Sequence, residues 1–251
     1  VSAKRLVVNA DDLGRTPGIN AGIERAHQEG IVTSASVMVG FPSAGDVPDI
    51  ARRNPDLGLG LHLSFTGSPP VLTPAEIPSL TDMNGRLPDK PEGLGGARLK
   101  HVLAEGRAQL RRFRALLGRE PTHLDTHHHS HDVPVVFEAL TQLAWEAGTP
   151  VRSTSTSMRE RLRAEGITTP DAFLDSFFGP GASLDNLLRL LRDLEPGVTE
   201  LMCHPAVVDD ELSRTSSYSS PRALELVVLT HLEARAALQA LGIRLVHFAN
   251  L

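Results

Sequence analysis

Short apolar runs rich in β-branched residues alternate along this chain with longer stretches whose apolar positions recur every three or four residues. Residues 4–9, 32–39 and 57–63 read as strands, the last with apolar side chains at period two. Between them, 19–29 carries helical spacing and stops at Gly30, and 43–53 reads as a short helix. A turn over 14–18 leads into the first helix, with Pro17 suited to an opening helical turn. Residues 65–96 lose the pattern and are rich in Pro, Gly, Thr and Ser, which predicts a long excursion. The alternation then resumes. A helix over 99–117 precedes a strand over 122–126, a helix over 133–147 capped by Asp132, and a short strand over 150–153. Helices over 158–165 and 184–194, a strand over 198–203, a long helix over 221–241 and a strand over 243–248 complete the chain.

Strands that alternate with helices predict a mainly parallel sheet. A count of about seven strands suits a (β/α) barrel better than an open doubly wound sheet. No G-x-G-x-x-G follows the first strand, so a nucleotide fold is disfavoured. With 251 residues, 41% of them hydrophobic, the chain is long enough for one domain over 1–251. A net charge of -5 argues against nucleic acid or an anionic membrane as partner. Neither a membrane-spanning run nor a signal-peptide pattern is visible, and Cys203 stands alone, so a cytoplasmic location is expected. His27, His101 and His231 read as solvated residues on helices, and Trp145 as core.

Residues 123–131, His-Leu-Asp-Thr-His-His-His-Ser-His, change the picture, because five of the 11 histidines sit there. Composition alone would place about half a histidine in such a window. Imidazole nitrogen and carboxylate oxygen are what a divalent metal takes. Along a strand, His123, Asp125 and His127 would share one face. Asp11 and Asp12 follow the first strand, His62 ends the third, and His204 follows the strand that ends at Cys203. Sites in barrels and open α/β sheets lie at such C-terminal strand ends. One carboxylate and two imidazoles leave coordination positions open, as in a catalytic metal site. A metal held so lowers the pKa of water and polarises a carbonyl, while a spare aspartate acts as base and a rim histidine as acid. That is a kit for amide or ester hydrolysis. No serine elbow competes with it.

At these residues the sequence resembles the YdjC-like carbohydrate deacetylases, which include chitooligosaccharide deacetylases. The matching stretches are Val8-Asn-Ala-Asp-Asp-Leu-Gly14, Gly30-Ile-Val-Thr-Ser34, Gly60-Leu-His-Leu63, Pro121-Thr-His-Leu-Asp-Thr-His-His-His129, Met202-Cys-His-Pro-Ala206 and Ser219-Ser-Pro-Arg222. They span nearly the whole chain. The resemblance implies a deformed seven-stranded (β/α) barrel of the glycoside hydrolase/deacetylase type, and removal of N-acetyl groups from short, chitobiose-like sugars. By resemblance, Asp12, His62 and His127 match metal ligands, Asp11 the base and His204 the acid. Asp125, His129, His131, Arg152 and Arg222 fall where substrate-binding or supporting residues are expected. The family implies one divalent ion, Mg2+, and commonly a homodimer, although imidazole donors also suit Zn2+. Leu13 and Ser130 depart from the usual Phe and Val, and neither is a proposed ligand.

Two other readings stay open on the sequence. A metal-dependent phosphoesterase could use the same ligands, although no second carboxylate set for another metal is evident. A non-catalytic metal- or sugar-binding module would need the histidine cluster alone. A single Trp and a single Tyr favour a small ligand over a long polymer.

Overall fold

A computed structural model describes residues 3–251. Its elements run β1 (Lys4–Leu13), α1 (Pro17–Gln28), β2 (Ser34–Val37), α2 (Val47–Arg53), β3 (Gly58–Leu63), α3 (Leu99–Leu117), β4 (Leu124–Thr126) and α4 (Pro134–Ala147). They continue α5 (Thr156–Ala164), β5 (Ala172–Leu174), α6 (Leu184–Arg192), β6 (Gly197–Cys203), α7 (Asp210–Thr215), α8 (Ser220–Leu229), α9 (Leu232–Ala240) and β7 (Arg244–Leu245). The strands lie in the order β4-β3-β2-β1-β6-β5, with β7 beside β1. Every pairing is parallel. The sheet curls into a half-barrel, as the strand–helix alternation predicted.

Parallel pairing determines where the chemistry goes. All strands end on one rim, so side chains from distant parts of the sequence meet there. His62 on β3 lies opposite Asp125 on β4, and Ala10 on β1 opposite Cys203 on β6. Asp11 and His204, the next residues of each chain segment, therefore emerge side by side. β1 is central and almost wholly buried from Leu6 onward, which holds the rim rigid. Behind it, Ile19 and Ile23 of α1, Val102 and Leu110 of α3, and Leu140 and Leu143 of α4 face the core. Each side chain so buried contributes about 1.5–3 kcal/mol relative to exposure.

One glycine is required by the packing of the sheet. A Cβ built on Gly60 would lie 2.3 Å from the His123 ring, which stacks on Phe248 at 3.9 Å between centroids. Gly60→Ala must displace that ring, and we expect a loss of about 1–3 kcal/mol in urea denaturation. Unchanged stability would mean that His123 can vacate its place freely.

The structure departs from several sequence expectations. Asp11 and Asp12 lie within β1, not after it. Residues 43–53 divide into a 3-10 turn, Pro42–Asp46, and α2. Val133 caps α4, while the Asp132 side chain is 77% exposed and makes no cap. Residues 150–153 contribute one bridge, Val151 to Leu124, rather than a strand. The helix expected over 221–241 breaks at Thr230 and His231, whose ring caps α9 by accepting the Glu233 N–H. The last strand is two residues long. His101 is buried, because the 65–96 excursion folds over α3 and brings Ser79 Oγ to 2.8 Å from its ring. Trp145 is 64% exposed and does not join the core.

Candidate active site

Adjacent residues on a strand point to opposite faces, yet Asp11 and Asp12 both line one cleft of about 840 Å³. A bulge makes this possible. The β1–β2 register shifts between Ala10 and Leu13, and Asp12 adopts a left-handed φ of 75°. His127 reaches the same cleft because β4 ends at Thr126 and the chain winds into a 3-10 turn, His127–Asp132. Within that turn, His128 and His129 also have positive φ, 56° and 49°. His123 does not line the cleft; its ring is fully buried deeper in the fold, beside Gly60 and stacked on Phe248.

Asp12, His62 and His127 bring one donor atom each to within 4.8 Å of one another. His62 Nε2 lies 3.2 Å from His127 Nδ1 and 3.5 Å from Asp12 Oδ1, and His127 Nδ1 lies 3.3 Å from Asp12 Oδ1. A cation about 2.1 Å from each donor sets donor–donor separations of about 3.0–3.4 Å between octahedral and tetrahedral angles. The triangle fits that requirement. Asp12 Oδ1 is buried without a hydrogen-bond partner, which a protein tolerates poorly unless another group completes it. Asp125 Oδ1 accepts the Nδ1 proton of His62 at 2.8 Å, so that Nε2, once it gives up its own proton, directs its lone pair at the triangle. Burial works to lower the His62 pKa, but the carboxylates of Asp125, Asp11 and Asp12 together outweigh it and push the pKa up to about 9. Burial would raise the Asp12 pKa, and Arg222 holds it well below the carboxylate range instead.

Behind the triangle lies Arg152, fully buried on the segment that bridges to β4. Its Nη1 and Nη2 donate to the two carboxylate oxygens of Asp11, each at 2.7 Å. Its Nε donates to Glu200 Oε1 at 2.7 Å, and Nη1 lies 3.1 Å from Asp125 Oδ2. One planar cation thus fixes three carboxylates, a task suited to guanidinium. Asp11 Oδ1 also accepts from Asn9 Nδ2 at 2.8 Å and Ser36 Oγ at 3.3 Å. Oδ2 has Arg152 alone, and faces His204 Nε2 at 3.9 Å. Although burial acts to raise the Asp11 pKa, Arg152 keeps the carboxylate ionised far below its ordinary range.

On the opposite wall, the Glu225 carboxylate accepts the His204 backbone N–H and the Tyr218 hydroxyl. Burial pushes the His204 pKa down to about 3, against the pull of Asp11, so the imidazole rests neutral. Arg222 lines the cleft, with Nη2 donating to Asp12 Oδ2 and Nε to the Tyr218 carbonyl. His129 lines the cleft. His131 does not line it. Its ring spans Thr126 Oγ1 at 2.7 Å and Thr154 Oγ1 at 3.0 Å, pinning the turn that presents His127. Arg214 is exposed. Glu200, Glu225, Phe178 and Arg15 carry site contacts that no motif in the sequence announced.

The family model for YdjC-like proteins matches residues 5–240. The chain belongs to the YdjC-like family. A carbohydrate deacetylase from Geobacillus stearothermophilus is 40% identical over 96% of this chain and 96% of its own length. A chitooligosaccharide deacetylase from Yersinia pestis is 34% identical over 98% of this chain and 99% of its own. Among solved structures, a protein from Enterococcus faecalis V583, provisionally assigned to cellobiose-phosphate cleavage, superposes with a TM-score of 0.93. It is 33% identical and covers 99% of both chains. No helix among the described residues of this YdjC-like chain is long and apolar enough to cross a membrane.

Proposed function

We propose that this chain is a metal-dependent hydrolase that removes the N-acetyl group from an acetylated amino sugar or short, chitobiose-like oligosaccharide. The observation that supports it best is the juxtaposition of the Asp12, His62 and His127 triangle with an ionised aspartate outside it and a neutral histidine 3.9 Å away. A bound divalent ion would polarise the acetyl carbonyl and make nearby water more acidic. Asp11 Oδ2, with its single partner, takes the proton from the water that attacks the acetyl carbon. Arg152 keeps that oxygen aimed into the cleft throughout. The proton that Asp11 has taken then passes to His204 Nε2, 3.9 Å away, which delivers it to the amine nitrogen as the carbon–nitrogen bond breaks. Negative charge that develops on the adduct raises the proton affinity of the buried imidazole at that moment, and acetate and free amine result. Arg222 holds Asp12, and Asp125 holds His62, so neither ligand must reorganise. The deacetylase names of the relatives point to the same substrate class.

Two nitrogen donors favour zinc over magnesium, which prefers oxygen. We therefore expect tighter binding of Zn2+ than of Mg2+ in competition titrations, with either ion tested for turnover. A proton held on His62 competes with the cation, so affinity should rise about tenfold per pH unit towards about pH 9. Affinity that does not change with pH would mean that His62 is not a ligand. The decisive experiment is acetate release from N,N'-diacetylchitobiose, before and after chelation and with metal restored. Release that persists in a chelated, metal-free protein would overturn the proposal. We also read residues 1–251 as one cooperative domain, cytoplasmic and homodimeric, which a single unfolding transition and sedimentation equilibrium would test.

A further inference from the structure

The cleft wall beside His204 carries an aromatic pair that the proposed chemistry leaves without a task. Phe178, just before the Gly179–Gly181 turn, is 44% exposed and lines the cleft together with Asp11, Asp12 and His204. One face of its ring stacks on Tyr218 at 4.1 Å between centroids and 13° between planes. The other face is turned away from that stack. Tyr218 holds the arrangement from three sides. Its hydroxyl accepts the Gly179 N–H at 2.8 Å, donates to Glu225, and its ring carries Arg222 at 5.5 Å. The Phe178 ring is thus fixed before any ligand arrives.

We propose that the Phe178–Tyr218 stack is the platform for the pyranose ring whose acetamido group is hydrolysed. The inference rests on the deacetylase reading above and adds the stereochemistry of the sugar. A ring lying on Phe178 is adjacent to His204, whose centroid is 5.4 Å from that of Phe178. An acetamido nitrogen at the ring edge then faces the imidazole that must protonate it. A gluco-configured pyranose has its hydroxyls equatorial, so both faces present C–H bonds to an aromatic ring. An axial hydroxyl on the apposed face would instead press a polar group against carbon, with no donor or acceptor to meet it. The platform therefore disfavours a galacto-configured N-acetylamino sugar wherever the reacting orientation brings the face with the axial hydroxyl onto Phe178. The opposite rim, Asp89, Lys90 and Glu92 from the 65–96 excursion, supplies polar groups for hydroxyls at the sugar edge.

The test compares wild type, Phe178→Ala, Phe178→Tyr and Tyr218→Phe, using N,N'-diacetylchitobiose as probe. Saturation-transfer NMR reads which sugar protons touch the protein, and this does not require turnover. The expected result is transfer concentrated on the C–H protons of one pyranose face, lost in Phe178→Ala and kept in Phe178→Tyr. In kinetics, Phe178→Ala should raise KM roughly tenfold with kcat within about twofold, and Phe178→Tyr should restore it. Tyr218→Phe keeps the ring but frees Gly179, and should give an intermediate rise in KM. A sugar that binds wild type and Phe178→Ala with the same contacts would overturn the platform while leaving the deacetylase reading intact. Absence of binding to wild type would overturn it as well. Face-selective binding without acetate release would uphold the platform and refute the proposed reaction. Equal turnover of the galacto-configured analogue would refute the stereochemical selection.

Discussion

Asp11→Asn is expected to slow acetate release by roughly 10²–10⁴-fold while the protein keeps its cation. Asparagine retains the shape of the side chain, and its carbonyl can still accept from Asn9 and Ser36. It cannot take a proton. Arg152 remains balanced by Asp125 and Glu200, so the fold should survive the change. His62→Ala and Asp12→Asn should behave in the opposite way, because each removes a corner of the donor triangle and the ion with it. Metal content by atomic emission, read beside the acetate rate, separates the two classes. Loss of metal in Asp11→Asn would refute the division of roles between the neighbouring aspartates.

Arg152→Met should destabilise the metal-free protein by about 3–5 kcal/mol at pH 8, because three buried carboxylates lose their counter-ion together. The sign of the pH dependence follows from the direction of each shift. In the wild type, Arg152 and its neighbours depress the folded-state pKa of Asp11 and Asp125. Such groups stabilise the fold above their unfolded pKa, and the contribution is lost as pH falls through the folded value. Without Arg152 the balance reverses, and burial raises the folded pKa above the unfolded one. The variant is then penalised most at high pH and recovers as the carboxylates take up protons. Glu200 anticipates this behaviour, since burial already raises it to about 7 with the guanidinium still in contact. The gap between wild type and variant in urea denaturation should therefore narrow from pH 8 to pH 5. A constant gap would show that Arg152 acts through packing alone.

Much of the site could be read in advance because its residue types are costly anywhere else. A run of five histidines and an aspartate at a strand end has few uses in a core. Asp12, His62, His127, Asp11, His204, Asp125, Arg152 and Arg222 do converge. What escaped depends on geometry that the local sequence does not encode. The β1 bulge needs a left-handed Asp12, and nothing in Asn-Ala-Asp-Asp announces a positive φ. Glu200 alternates with Thr199 and Leu201 like any half-exposed strand residue, and only curvature of the sheet turns it inward. Trp145 was misplaced for a simpler reason. At 100° per residue it lies about 140° and 200° around the helix from Leu140 and Leu143, on the far side of their stripe. His101 was misread because its cover, Ser79, belongs to the excursion, whose path no periodicity traces.

Among the described residues, the three non-glycine residues with positive φ, Asp12, His128 and His129, all line the cleft. Each holds a conformation that L-residues disfavour by roughly 1–2 kcal/mol. The scaffold therefore opposes its own relaxation at this one place and nowhere else among the described residues. His128→Gly should raise the thermal midpoint of the metal-free protein rather than lower it, since glycine relieves the backbone at an exposed side chain that gives up one hydrogen bond to Thr66 and a stack on His127. Selection for a sturdier fold and selection for an assembled donor triangle would then favour different residues at the same position. A chain of this fold that had lost its chemistry could be recognised by a glycine here, and by a melting temperature higher than that of its active relatives.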